Sequence, residues 1–214
     1  MFNKYNTNNL GFTLIELLIT LVITSIILGG AFSVYKSQED THRAQTQVLA
    51  MQQNSRMALY MMTNEIRMAG YDFEGTNGAG ITSADVGSLT FTFVADDDGI
   101  DNDGDSPPVV DEPGELQTIA FVLADVDGDV DADIGRTADG AQELLAENIT
   151  SLVFRYFDQG GIELTPLPIV ASSLPNIKYI QIEIEATIDV NEKNFFNGNN
   201  RSLTTTVQCR NMGL

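Results

Sequence analysis

Residues 12–35 are almost wholly apolar, and no proline occurs between Phe12 and Gly70. Few folds accommodate both facts. As a helix the apolar run covers roughly 36 Å at ~1.5 Å per residue, enough to cross the ~30 Å hydrocarbon layer of a bilayer. Within the run lies a single charged residue, Glu16, five positions after Gly11. A charge inside a membrane span costs roughly 2.5–3.5 kcal/mol on insertion scales, so such residues are seldom idle. An ordinary secretory signal, cut at Gly29-Gly30-Ala31, is one alternative for the stretch. The secretory signal gains nothing from the carboxylate; a plain single-pass anchor is another alternative.

Gly11-Phe12-Thr13-Leu14-Ile15-Glu16 resembles the type III signal of type IV prepilins and pseudopilins. The resemblance implies that prepilin peptidase cuts after Gly11 and methylates the new N-terminal Phe12. It also implies that Glu16 pairs with the N-terminal amine of a neighbouring subunit in the filament.

The chain beyond residue 35 continues the helix with a different texture. Ala44, Val48, Met51, Ser55, Ala58 or Leu59, Met62, Ile66 and Ala69 recur at spacings of three and four, the mark of one buried face. Gln45, Gln47, Gln52, Gln53, Asn54, Arg56, Asn64, Glu65 and Arg67 predict a polar opposite face. One helix is therefore expected from Phe12 to Gly70, roughly 87 Å long. Gly70 suits its C-cap. Gly29-Gly30 predicts a kink or local melting, since each glycine costs about 1 kcal/mol relative to alanine.

The stretch Asn64-Glu65-Ile66-Arg67-Met68-Ala69-Gly70-Tyr71 and the N-terminal helix together resemble minor pilins of the PilW type. The run from Leu144 to Asp158 is similar to a strand entry that those proteins share with the J-type pseudopilin of type II secretion. The resemblance implies a minor pilin, not an enzyme, that supports pilus assembly from the tip or a priming complex. Its implied partners are prepilin peptidase, other minor and major pilins, the inner-membrane assembly machinery and the membrane itself. Its globular domain would sit in the periplasm before assembly and at the cell surface afterwards. A J-type pseudopilin and a membrane-tethered calcium-dependent adhesin are the alternatives.

Residues 88–94, 116–123, 151–157, 177–188 and 202–208 read as strands, with Gly-, Asn- and Pro-rich connections between them. In 177–188 the apolar phase changes near Ile180, which predicts a bulge or a strand covered on both faces. The expected fold is α+β: a long N-terminal helix packed on an antiparallel β-sheet, as in pilins. The expected organisation is a leader at 1–11, a membrane or filament-core helix at 12–35, its amphipathic continuation at 36–70, and a β-rich domain at 71–214.

Charge is the second informative feature. The formal net charge is −19, and no Lys or Arg occurs from Met68 to Gly135. Acidic loops are expected at 96–115 and 125–135. Aspartates two apart present several oxygens to calcium, as EF-hand-like loops do. Asp101, Asp103 and Asp105, closed by Asp111 or Glu112, form one candidate calcium set; Asp125, Asp127 and Asp129, with Asp131 and Asp133 beyond, form another. Neither is a full EF-hand: Ser106 and Val130 stand where the glycine belongs.

The same composition excludes other classes. Eleven Lys and Arg against 30 acids oppose direct contact with nucleic acid. One histidine, His42, and one cysteine, Cys209, supply no ligand set for zinc and no thiol–base pair. No tryptophan is present to make a sugar platform beside paired carboxylates.

Overall fold

The computed structural model describes residues 12–72, 78–94, 116–128, 131–187 and 200–212. Helix α1 runs from Leu14 to Met68, and the helical backbone continues through Gly29-Gly30 without a break. The local melting expected there is absent: an isolated glycine pair weakens a helix but does not end it when helix formers flank both sides. The chain divides into two compact units, Met1–Thr46 and Gln47–Leu214.

From Leu14 to Tyr35 the helix is apolar almost all round and exposed. An 18-residue window of it has a mean hydropathy of 2.4, and none of that window is buried. Thr20 and Ser25 donate their hydroxyls to the carbonyls of Leu17 and Leu21, so these two polar side chains are satisfied within the helix. That is how hydroxyls are tolerated in hydrocarbon.

The second unit holds the core. Met51, Ser55, Ala58, Met62, Ile66 and Ala69 are buried, as the spacing predicts. The Ser55 hydroxyl donates to the Met51 carbonyl one turn back, so its burial leaves no unmet donor. The helix stops where Gly70 adopts φ +75, a conformation that glycine adopts without strain. A Cβ at Gly70 would stand 3.0 Å from Met212 Sδ and 3.3 Å from the Asn211 carbonyl, so the C-terminal tail closes over this turn.

The expected α+β fold is present, the second half of α1 packing on antiparallel strands; among the described residues eight strands form two sheets. The first, in order β1-β2-β3-β4-β5, contains β1 Ile81–Ala84, β2 Ser88–Val94, β3 Leu116–Ala124, β4 Asp133–Ala138 and β5 Ala141–Ala146. The second, β6-β7-β8, contains β6 Ile149–Phe157, β7 Tyr179–Ala186 and β8 Arg201–Gln208. The phase change expected inside β7 does not occur. Ile180, Ile182, Ile184 and Ala186 alternate regularly inward, while Ile177 belongs to the end of a short 3-10 helix, Ala171–Asn176. The register shift lies at the other end, between Ile149 and Ser151 of β6.

Strand β6 ties the two sheets. Its Phe154 N–H donates to the Val86 carbonyl at 2.8 Å. The buried Tyr156 hydroxyl lies 2.7 Å from the Asp85 carbonyl and 3.2 Å from that of Ser88. Burial pushes the Tyr156 phenol pKa up, with Asp85 adding to the effect. From the first sheet, Arg136 places Nε 2.9 and 3.0 Å from the two carboxylate oxygens of Glu65, fastening β4 to α1.

Candidate functional site

The helix start is a reciprocal cap. Thr13 is the last residue before α1, and its backbone N–H and hydroxyl both donate to Glu16 Oε2, each at 2.9 Å. The Glu16 N–H in turn approaches Thr13 Oγ1 at 3.3 Å. This is the capping box, in which two orphan donors of the first turn are satisfied by a Thr and a Glu three residues apart. Glu16 thus holds its own helix end with one oxygen and leaves the second, Oε1, without a partner among the described residues. Phe12, immediately outside the cap, is 90% exposed. Gly11 lies outside the described residues.

Thr13 is the residue that sequence reasoning passed over, although Thr-x-x-Glu before an apolar run is a legible helix-start signature. Glu16 drew attention as a charge in hydrocarbon, which hid its second role.

The acidic set at Asp101, Asp103, Asp105, Asp111 and Glu112 lies outside the described residues, as does Asp129. Of the second set the structure brings together Asp125, Asp127 and Asp133, each offering a carboxylate oxygen within 4.8 Å of the others. Asp125 and Asp127 are exposed, whereas Asp133 is 1% exposed at the start of β4. Asp125 accepts from the Gly128 N–H at 2.7 Å. Asp133 accepts from the N–H groups of Val126 at 3.2 Å and Asn148 at 3.3 Å, and forms no ion pair among the described residues. Asn148 has φ +60, and its buried Oδ1 lacks a hydrogen-bond partner among them. The donors are all oxygens, the set that hard cations prefer.

Cys209 is buried, and that burial pushes its thiol up to about 12, so it stays protonated at neutral pH. His42 is exposed on α1.

Residues 6–32 match the family model described as the Prokaryotic N-terminal methylation motif. No curated protein matches the chain. The match makes the N-terminus a type IV pilin-like prepilin signal and points to a structural subunit, of pilin or pseudopilin kind, rather than an enzyme. It implies processing by prepilin peptidase and membership of a filament with other pilins, and α1 is long and apolar enough to cross a membrane.

Proposed function

We propose that this chain is a minor pilin of a type IV pilus, of the PilW type, cut after Gly11, methylated at Phe12 and assembled through α1 near the filament tip. One observation carries the reading: the methylation motif sits on a helix whose apolar span is exposed. Such a surface needs lipid first and neighbouring helices afterwards. Cleavage creates an amine one residue before the cap, beside a carboxylate with an uncommitted oxygen. In the bilayer Thr13 lowers the cost of the Glu16 charge; in the filament a neighbour's amine takes the remaining oxygen. Mass analysis of the mature N-terminus tests this. A chain beginning at N-methylated Phe12 is expected, and one beginning at Ala31 or Phe32 identifies an ordinary secretory signal instead. Deletion of the gene separates the pilin from a J-type pseudopilin, because loss of pili follows in the first case and loss of protein secretion in the second.

The acidic cluster supports a second proposal, that Asp125, Asp127 and Asp133 bind calcium. A buried carboxylate without a counter-charge is costly unless a cation or strong hydrogen bonds compensate it. Among the described residues Asp133 has two long backbone contacts to do so. A ligand that binds only the folded state at tenfold excess over its Kd adds about 1.4 kcal/mol. Millimolar calcium is therefore expected to raise the Tm of the chain. Equal magnesium should not, because it requires a tighter octahedral shell. Asp133→Asn keeps the shape and one of the two acceptor oxygens while removing the charge, and should abolish the calcium response. Identical Tm with calcium and with chelator eliminates the site.

A further inference from the structure

The outward face of α1 in the second unit is not the uniformly polar surface that its glutamines and asparagines predict. Leu49, Met57 and Tyr60 are 57%, 59% and 66% exposed, and Met61 and Met68 join them at 38% each. Arg56 and Arg67 lie on the same side, since residues 49, 56, 60 and 67 recur at seven and four. This face is opposite the buried Met51, Ala58, Met62 and Ile66. It extends roughly 28 Å along the helix. Both arginines are exposed and form no ion pair with any described residue.

The charge of the face is unlike that of the rest of the chain. Residues 71–214 carry 26 acidic against 6 basic side chains. Two such domains brought side by side repel one another. Between residues 47 and 69 the charged groups are Arg56, Glu65 and Arg67, and Glu65 is already held by Arg136. The outward face is thus apolar and cationic, with Met and Tyr side chains that suit a protein contact and Arg side chains that match carboxylates.

We propose that this face docks the acid-rich globular surface of a neighbouring filament subunit, the arginines pairing with its carboxylates around a Met–Tyr centre. The inference rests on the pilin reading, since it takes that reading's filament as the place where the two surfaces meet. Complementary charge then sets which subunit face is accepted, and the apolar centre supplies the buried area.

The test is photo-crosslinking of the full-length chain in its own cells, with a benzophenone amino acid at position 60 or, separately, at position 22. Position 60 is expected to give an adduct with a pilin-type subunit, mapping by mass spectrometry to an Asp/Glu-rich segment. The yield should fall at least tenfold in the double variant Arg56→Glu/Arg67→Glu and persist in Arg56→Lys/Arg67→Lys. An adduct only at position 22, or one at 60 that ignores charge reversal, overturns the inference and leaves the filament reading standing. An adduct at 60 with lipid or with a protein outside the filament overturns it as well. Absence of subunit adducts at both positions overturns the inference and the filament reading together.

Discussion

Glu16→Ala is expected to insert into the membrane as well as the native chain and to enter filaments at least tenfold less. The two halves of that result have different causes. Removing a charge from the apolar span lowers the insertion cost, so anchoring is retained or improved. Removing one partner from a low-dielectric ion pair costs about 3–5 kcal/mol, because the neighbouring amine is left unpaired; each 1.4 kcal/mol is a factor of ten. The capping box makes a sharper version of the experiment available. Glu16→Gln retains an oxygen for the Thr13 N–H and hydroxyl, and Gln is an accepted member of the motif, but the charge is gone. It should fail like alanine if the amine is the partner that matters. Thr13→Val keeps the charge and removes the hydroxyl donor and the cap, a loss of about 1 kcal/mol, so its effect on incorporation should be small. Fractionation of membranes and sheared filaments, probed for the chain, measures both quantities. Native-level incorporation of the Gln variant would reduce position 16 to a helix cap and remove the charge from the assembly mechanism.

The helix was legible in the sequence because three independent signals agree on it. The apolar run, the absence of proline and the three-four spacing each favour one continuous rod, and Gly70 ends it with the positive φ that a C-cap glycine provides. Strand β2 was legible for a similar reason: the residues of Ser88–Val94 alternate in sequence and follow a turn glycine, although burial changes phase at Thr92. Strands β4 and β5 were not. Ala141–Ala146 reads AQELLA, a composition of strong helix formers, yet it pairs with β4 as an exposed edge. Tertiary pairing overrode propensity there. Asp133–Ala138 reads as loop because Asp, Gly and Arg interrupt it, but Gly135 is where β4 receives close neighbours: a Cβ would meet Gln142 Nε2 at 2.9 Å and Val126 Cγ2 at 3.2 Å. Strand β1 is four residues long, too short for alternation to register.

The prepilin-type signal was readable because it is a short linear motif. The acidic cluster was readable only as a density of aspartates. Spacing in sequence treats Asp125, Asp127, Asp129, Asp131 and Asp133 alike, whereas strand pairing turns Asp133 inward at the head of β4 and leaves Asp125 and Asp127 at the surface. Which carboxylate is buried depends on where a strand begins, and that strand was the one hidden by its polar composition. The exposed apolar residues of α1 were overlooked for the opposite reason: Leu49, Met57 and Tyr60 sit among so many amides that the face averages to polar.

Phe91→Ala is expected to be the most damaging single change to the folded domain, at about 3–5 kcal/mol. Phe91 is fully buried in β2, opposite Ile119 of β3 and Ile81 of β1. Its ring lies 6.1 Å from that of Phe121 and 6.4 Å from that of Phe93, both tilted, an arrangement in which aromatic pairs attract beyond simple burial. Truncation removes the transfer free energy of the ring and leaves a void. The surrounding side chains are held by paired strands on both sides and relax little. Domains of ordinary stability have about 5–15 kcal/mol in total, so the loss is a large share of what holds this one folded. Val170→Ala is the matched control: that side chain is 60% exposed and its truncation should stay within ~0.5 kcal/mol. Urea unfolding of the full chain, followed by the fluorescence of its six tyrosines, compares the two. A midpoint for Phe91→Ala close to that of Val170→Ala would mean that the five-stranded sheet has no close-packed inner face, and the placement of α1 against it would lose its energetic basis.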